Sequence, residues 1–494
     1  MAITTYVTLL TNEQVERIHE ASLEILEKVG LLVRNEQARH IFAHHGCQVD
    51  SDTHVVRFPR RIVEEFRVAM PSQFTFHGRD PKYDRTIPED SPLIVTGSSA
   101  PNIIDPVTGQ ERRARSEDIA QIAHLINTLP GYDVFSVSTL AEDAPAGQLT
   151  LARVYPALKY CLKPVRISAV DREDAEKLLQ LGYLIADGKT AYHARPFITH
   201  HFCPVVSPLT MDFSSTELMI YFAEKQLPVY GSIVPNAGLT APMTLVGTIA
   251  QGNAEFLAMA VLMQMVHPGT PLIYSTLPTV ADMRTGAYAS GGIECAMLQM
   301  ACAQMARFYH VPSGGYIGLT NSKINDAQSG YETGMSVTAG LLAGMHMFNM
   351  GGLLDALKAF DFAKAVIDDE IAQMLKRLYR GLEFSEENLA FDVIAEIGPG
   401  GNYMVHEHTL KWMKHAALMT KIADRNPREV WQIKGSLDTQ ARAFKRVQEI
   451  LSQESSAEFS PEVDQRIRAH FVDLVEAKLQ KLSMAPKVGE RKIQ

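Results

Sequence analysis

Two histidine clusters are the first residues in this chain that could do chemistry: His200–His201 and His406–Glu407–His408. Imidazole is the commonest metal ligand, but a zinc site needs three or four ligands at set spacing. Neither cluster has a further ligand so placed, so packing or support roles are expected and no metal site is assigned. Lys323 could form a Schiff base, yet a lone lysine in a polar loop is expected in solvent. Glu332 and Asp355 are candidate proton-abstracting bases. The chain has no HExxH, no GxSxG, no phosphate-cradling GxxxxGK[ST] and no GxGxxG, so hydrolytic, nucleotide and dinucleotide chemistry lack their usual residues. Neutral polar and aromatic groups remain: Asn102, Tyr274, Tyr288, Tyr316, Asn321, Gln328 and Tyr331. Aromatic faces attract quaternary ammonium, each contact contributing about 0.5–2 kcal/mol, so this set suits a methylated cation.

These residues fall between strongly patterned elements. Apolar runs recur at LIVTG (93–97), DVFSVST (133–139), PVRISAV (164–170), PFITHHF (196–202), PVYGSIV (228–234), PLIYSTL (271–277), GGYIGLT (314–320) and HMFNMGG (346–352). Each precedes a helical pattern, such as that from Ser116, a suitable N-cap, or the apolar stretch 243–266. Near-continuous apolar strands mean burial on both faces. Eight β/α units predict an α/β fold, a (β/α)8 TIM barrel, with chemistry on the loops at the carboxyl ends of the strands. Those loops are long and rich in Gly, Ser, Asn and Pro, notably TGSSAPNIIDPVTG, STLPTVADMRTGAYASGG and GYIGLTNSKINDAQSGYETG. Long loops of this kind are uncommon unless functional. Ahead of the barrel, a TNEQ capping box at Thr11–Gln14 opens a helix for which Gly30 is the expected stop. THVVRF, PRRIVEEF and FTFHG complete an N-terminal α/β extension over 1–85. The barrel is assigned to 86–365. A charged, mainly helical segment occupies 366–494, interrupted by IGPGGNYMVHEH.

The 494 residues suit one large barrel with extensions. With 46% hydrophobic and 21% charged residues the chain has the make-up of a globular protein. A net charge of −9 argues against nucleic acid as a partner. The five cysteines are widely spaced and include no CxxC, so reduced, mostly buried thiols are expected. The start MAITTYVTLLTNEQ lacks a basic and then apolar leader. No stretch reaches about 18 uninterrupted apolar residues. The expectation is therefore a cytoplasmic protein that meets no membrane, with a symmetric homo-oligomer as the prior.

TGSSAPNIIDPVTG, GLTNSKINDAQSGYETG and GPGGNYMVHEHTL, in that order and in a chain of this length, resemble the trimethylamine methyltransferase family. The resemblance implies a TIM barrel whose open top meets a cobalamin-bearing protein. Archaeal trimethylamine enzymes carry pyrrolysine near the region equivalent to GLTNSKINDAQSGYE; this chain has only standard residues there. Members without pyrrolysine resemble demethylases of quaternary amines, with glycine betaine the first expectation. The implied partners are a cognate corrinoid protein and a small quaternary amine, with no cofactor held tightly by the chain itself. Within that reading His346 and Glu332 are the candidate catalytic residues. His346 would hold the substrate carboxylate, or a water bound to it, helped by Asn321, Gln328 and backbone N–H groups. Asn102, Tyr274, Tyr316, Asn321, Gln328 and Tyr331 are the candidate substrate contacts, Tyr331 as a cage wall. Glu332, about 100° further round the same helix, would play a different part. The alternatives are a TIM-barrel lyase or hydrolase using Glu332 or Asp355 as its base, and a non-catalytic osmolyte binder.

Overall fold

The computed structural model describes residues 5–479. The eight apolar runs close into one parallel ring. Leu93–Val95 pairs with Met347–Asn349, which pairs with Gly314–Tyr316. Val165–Ile167 pairs with Phe135–Ser136 on one side and with Ile198–Val206 on the other, and the latter pairs with Val229–Ile233. Single bridges complete the circuit: Val95 with Val134, Ile233 with Thr276, and Tyr274 with Ser313. The sixth strand is thus held by isolated bridges, unlike its neighbours. Side chains alternate along each strand between the lumen and the surrounding helices.

The floor of the ring is sealed by the hairpin Phe74–Phe76 and Arg85–Ile87. Phe74, Phe76 and Ile87 pack with Leu93, Val95, Val134, Tyr230, Ile273 and Met347 in one buried cluster. Gly314 lies at this level because nothing larger fits. A Cβ there would meet Met347 Cε at 2.5 Å and Ile273 Cγ2 at 3.1 Å. Outside the ring, the helix Leu245–Val266 has the length and hydropathy of a membrane-spanning segment, but most of it is buried within the fold.

The N-terminal stretch is stitched to the barrel. Leu31–Val33 pairs with Thr210–Met211, a short strand that turns back on the long fourth barrel strand. The first helix, Asn12–Glu24, begins on the expected capping box, with Thr11 and Gln14 satisfying each other's backbone N–H. Gly30 follows it at φ 79°. Ser116, expected as a cap, is instead the first residue of its helix; its N–H and hydroxyl donate to Asp143 at 2.8 and 3.0 Å. The helix Phe362–Arg380 runs across the boundary drawn at residue 365. Both halves carry charge; the first half is buried against the barrel, with Lys364 bonded to Asp368 inside it, and the second half is largely part-exposed, so the boundary does not mark a break in the backbone. The C-terminal helix Thr439–Leu451 packs on that helix and on Ser116–Thr128. Between them, residues 382–419 leave Phe384, Phe391, Met404, Val405 and Leu410 exposed.

Candidate functional site

Above the sealed floor the lumen turns polar. Inward-facing positions one pleat higher carry Ser136, Arg166, His201, Ser232, Ser275, Tyr316 and Asn349, drawn from seven strands. Arg166 is the centre of this layer and is 1% exposed. Its Nε donates to Ser136 Oγ at 2.9 Å, and its Nη1 donates to Tyr230 OH at 2.5 Å and Asn349 Oδ1 at 2.9 Å. Its Nη2 has no hydrogen-bond partner, and neither has the neighbouring Asn349 Nδ2. None of the ion pairs among the described residues involves Arg166. Burial works against its charge, but the oxygens of Tyr230 and Tyr316 beside it keep the guanidinium above its ordinary pKa. It is therefore a permanent cation in a ring of neutral acceptors, an arrangement that is costly without a counter-charge.

His201 stands on the next strand, 4.8 Å from the Tyr230 ring. Its Nε2 hydrogen bonds with Ser232 Oγ at 2.7 Å, and that hydroxyl with Ser275 Oγ at 2.7 Å. Burial first, then Arg166, pushes its pKa well below the usual imidazole value, so it is neutral. Cys203, one pleat above, retains exposed surface although burial raises its thiol pKa. A side chain that is both deep and solvent-accessible marks an open lumen. His200 points the other way. It stacks on Phe222 with centroids 3.5 Å apart, is completely buried, and has a pKa lowered to about 3 by burial. Adjacent strand residues on opposite faces cannot share a metal, and no group of three or more potential ligands occurs among the described residues.

The loops at the carboxyl ends bring further residues to the mouth. Tyr316 ends the seventh strand, and its hydroxyl meets Ser98 Oγ from the first loop at 2.5 Å. Tyr288, from the loop after the sixth strand, lies near Tyr316 and is buried enough to raise its phenol pKa. Asn321 pins that loop: its Nδ2 donates to the Tyr288 carbonyl at 2.8 Å, and its Oδ1 accepts from Gly291 N at 2.8 Å. Glu332 pins the seventh loop in turn. It accepts from Thr320 Oγ1 at 2.6 Å, Asn321 N at 2.8 Å and Gln328 Nε2 at 2.9 Å. Asn321, Gln328 and Glu332 thus form one brace around Tyr288, and both Glu332 oxygens are occupied, one by Thr320 and the Asn321 N–H, the other by Gln328. Asp355, the other base considered, pairs with Lys323 and Lys358 on the surface. Lys323 is exposed, as expected.

Four sequence candidates lie elsewhere. His346 precedes the eighth strand, so it stands at the amino-terminal end of the barrel. Its Nδ1 bonds with Ser313, and its carbonyl accepts from Leu93 N. Burial and Arg307 lower its pKa to about 4. Tyr274 points out of the ring; its hydroxyl donates to Asn253 Oδ1 at 3.0 Å in a cluster with Ser22 and Tyr309. Tyr331 is 56% exposed near the start of the helix Ala327–Leu342, with its ring in solvent. Asn102 sits in a four-stranded sheet built by the first and eighth loops, where its side chain bonds with Glu111 and Arg113. The residue that sequence reasoning missed is Arg166. Its signal was present: an arginine in the middle of PVRISAV, a run expected to be buried on both faces.

Three comparisons bear on this geometry. A family model described as trimethylamine methyltransferase (MTTB) matches residues 2–480. The chain is 34% identical over 464 residues to a glycine betaine methyltransferase of Desulfitobacterium hafniense strain Y51, covering 93% of this chain and 96% of the relative. It is 29% identical over 467 residues to trimethylamine methyltransferase MttB of Desulfitobacterium hafniense strain DSM 10664 / DCB-2, covering 94% and 93%. The crystal structure of the hydroxylamine MtmB complex superposes with a TM-score of 0.50 at 12% identity, over 91% of this chain and 96% of that one, a likeness of fold alone. With a family match across nearly its whole length and a closed barrel whose lumen opens at the expected end, the chain belongs to the trimethylamine methyltransferase family.

Proposed function

We propose that this protein demethylates a quaternary amine, glycine betaine or a similar betaine, passing the methyl group to the Co(I) corrinoid of a separate protein. The observation that carries this reading is the pair Tyr288 and Tyr316, brought together at the carboxyl-end mouth of the barrel above the polar layer around Arg166. Polarisable ring faces attract a methylated ammonium without gripping its charge. That restraint matters because the charge disappears during reaction, and strong ground-state binding of it would slow the step. The C–N bond breaks, its electron pair stays on nitrogen, and the leaving group is a neutral tertiary amine. No proton has to be delivered to it. The partner's corrinoid supplies the attacking electron pair. This chain's task is to hold one methyl in line with the mouth, where catalysis is mostly positioning.

The rim of the mouth supports a protein partner. Leu239, Met243, Val246, Met283, Ile293 and Ile324, from the fifth to seventh loops, are all exposed. Met243 and Met283 sit against the same glycine, Gly238. Soft methionine-rich rims suit docking to a protein surface. The relative with 34% identity, named for glycine betaine, favours a betaine over trimethylamine. The occupied oxygens of Glu332 disfavour the lyase or hydrolase alternative. The test mixes the purified chain, a corrinoid protein held in the Co(I) state and glycine betaine. The corrinoid spectrum is expected to change to that of the methylated form with glycine betaine and not with trimethylamine. Equal rates with both amines, or demethylation without corrinoid, would overturn the proposal.

A further inference from the structure

Resting on that reading, we infer that Arg166, with Asn349 beside it, is the carboxylate anchor that makes the lumen take a zwitterion instead of a simple ammonium ion. Three observations converge on this pair. Arg166 is a buried cation whose neighbours, Ser136, Tyr230, Asn349 and the Tyr316 hydroxyl, are all neutral. Such a charge repels a bare quaternary ammonium and is relieved by an anion. Next, both bonded side chains keep a spare donor. Asn349 Oδ1 is tied to Nη1 at 2.9 Å, while Asn349 Nδ2 and Arg166 Nη2 have no hydrogen-bond partner. A carboxylate has two oxygens and takes donors in such pairs. Finally, the pair sits between the apolar floor and the tyrosines of the mouth.

Both free donors are shut off from solvent. The group to be displaced is the Tyr316 hydroxyl, which lies beside the guanidinium and is bonded to Ser98. A carboxylate bound there sets the substrate's polarity in the lumen. Its acid end points to the floor, and its trimethylammonium end points to Tyr288, Tyr316 and the mouth, where the acceptor enters. One methyl is then presented outward without any group having to grip the nitrogen. Arg166 and Asn349 are thereby specificity-determining, and methylated amines without an anion lack the contact that orients them.

Titration calorimetry with glycine betaine, tetramethylammonium and acetate, on the wild type and on Arg166→Met and Asn349→Asp, tests the inference. The wild type should bind glycine betaine far more tightly than tetramethylammonium and should bind acetate competitively. Arg166→Met should lose about 100-fold in betaine affinity, as expected for removal of one partner of a buried charge pair, while tetramethylammonium binding holds or improves. Arg166→Met removes five N–H donors and three hydrogen bonds from the core, so the near-isosteric Asn349→Asp guards against a folding defect. It places a carboxylate against Nη1 and should weaken betaine and acetate while strengthening tetramethylammonium. An unchanged ratio of betaine to tetramethylammonium affinity in both variants would overturn the anchor. If the wild type demethylates betaine and the variants do so equally well, the anchor fails and the methyl-transfer reading stands. If no quaternary amine is demethylated but betaine and acetate binding is lost in both variants, the anchor stands and the methyl-transfer reading fails.

Discussion

The two ends of the barrel are made from the same eight strands, yet they are chemically opposite. At the amino-terminal end Phe74, Phe76 and Ile87 plug the ring against Leu93, Val95 and Met347 in one buried apolar cluster. His346 lies at this end, bonded to Ser313 beside the plugged floor. One pleat toward the carboxyl end the lumen becomes a polar layer around Arg166, and beyond it open the loops that carry Tyr288 and the Glu332 brace. The difference teaches that position along a barrel strand outweighs residue type. A histidine at the start of a strand serves packing, whereas an arginine two residues into one commands the cavity. The strand rises about 3.3 Å per residue, so that offset is the distance between floor and site.

Breaking the floor should cost stability and leave recognition alone. Phe76→Ala is expected to destabilise the protein by about 3–5 kcal/mol, as for other buried aromatic truncations, measured by urea unfolding. The ratio of glycine betaine to tetramethylammonium affinity in the folded fraction should not move. A changed ratio would mean that floor and mouth are not independent. His346→Ala belongs with it: it should lower stability without raising the Michaelis constant for a betaine.

The buried histidines on the closed side of the strands sharpen the contrast through pH. His200 and His346 have native pKa values of about 3 and about 4, below the ordinary 6.5. Between those values and 6.5 the unfolded chain binds protons that the native protein does not, so stability falls as pH drops. At pH 5 each group should cost about 2 kcal/mol relative to neutral pH. His200→Phe should remove its share of that slope, seen as a smaller difference in urea midpoint between pH 7 and pH 5. An unchanged slope would show that His200 is protonated in the native protein.

At the mouth, Asn321→Ala should remove the bonds that hold Tyr288 and weaken betaine binding by about 1–2 kcal/mol, with unfolding midpoints nearly unchanged. Loss of stability in place of affinity would make the brace structural. Smallest of all, Tyr331→Ala should stay within about 0.5 kcal/mol of the wild type in both stability and betaine affinity, because its ring is on the solvent face. A larger loss of affinity would restore it to the cage.

Much of this architecture was legible in the chain. Eight apolar runs separated by helical periodicity predicted a closed parallel ring, because burial on both faces leaves no polar alternation and strand order follows from the β/α repeat. The lengths of the loops pointed to the carboxyl face, the end at which Tyr316 bonds with Ser98 of the first loop. Asn321 and Gln328 were expected at the substrate and Glu332 in catalysis; that the three are bonded into one brace was not legible, since a sequence does not say whether a polar side chain faces a ligand or a neighbouring loop. Facing was decided only in three dimensions. Tyr274 and Ser275 are adjacent, and the pleat sends one to Asn253 and the other to the lumen; His200 and His201 divide in the same way. Arg166 shows the limit most plainly. Its position within a strand was readable, but that its partners would be hydroxyls and an amide, with no carboxylate among them, depends on side chains 30, 64 and 183 residues away. Local pattern encodes elements through short-range sterics and burial, whereas the electrostatic character of a cavity is a sum over residues that only ring closure brings within hydrogen-bonding distance.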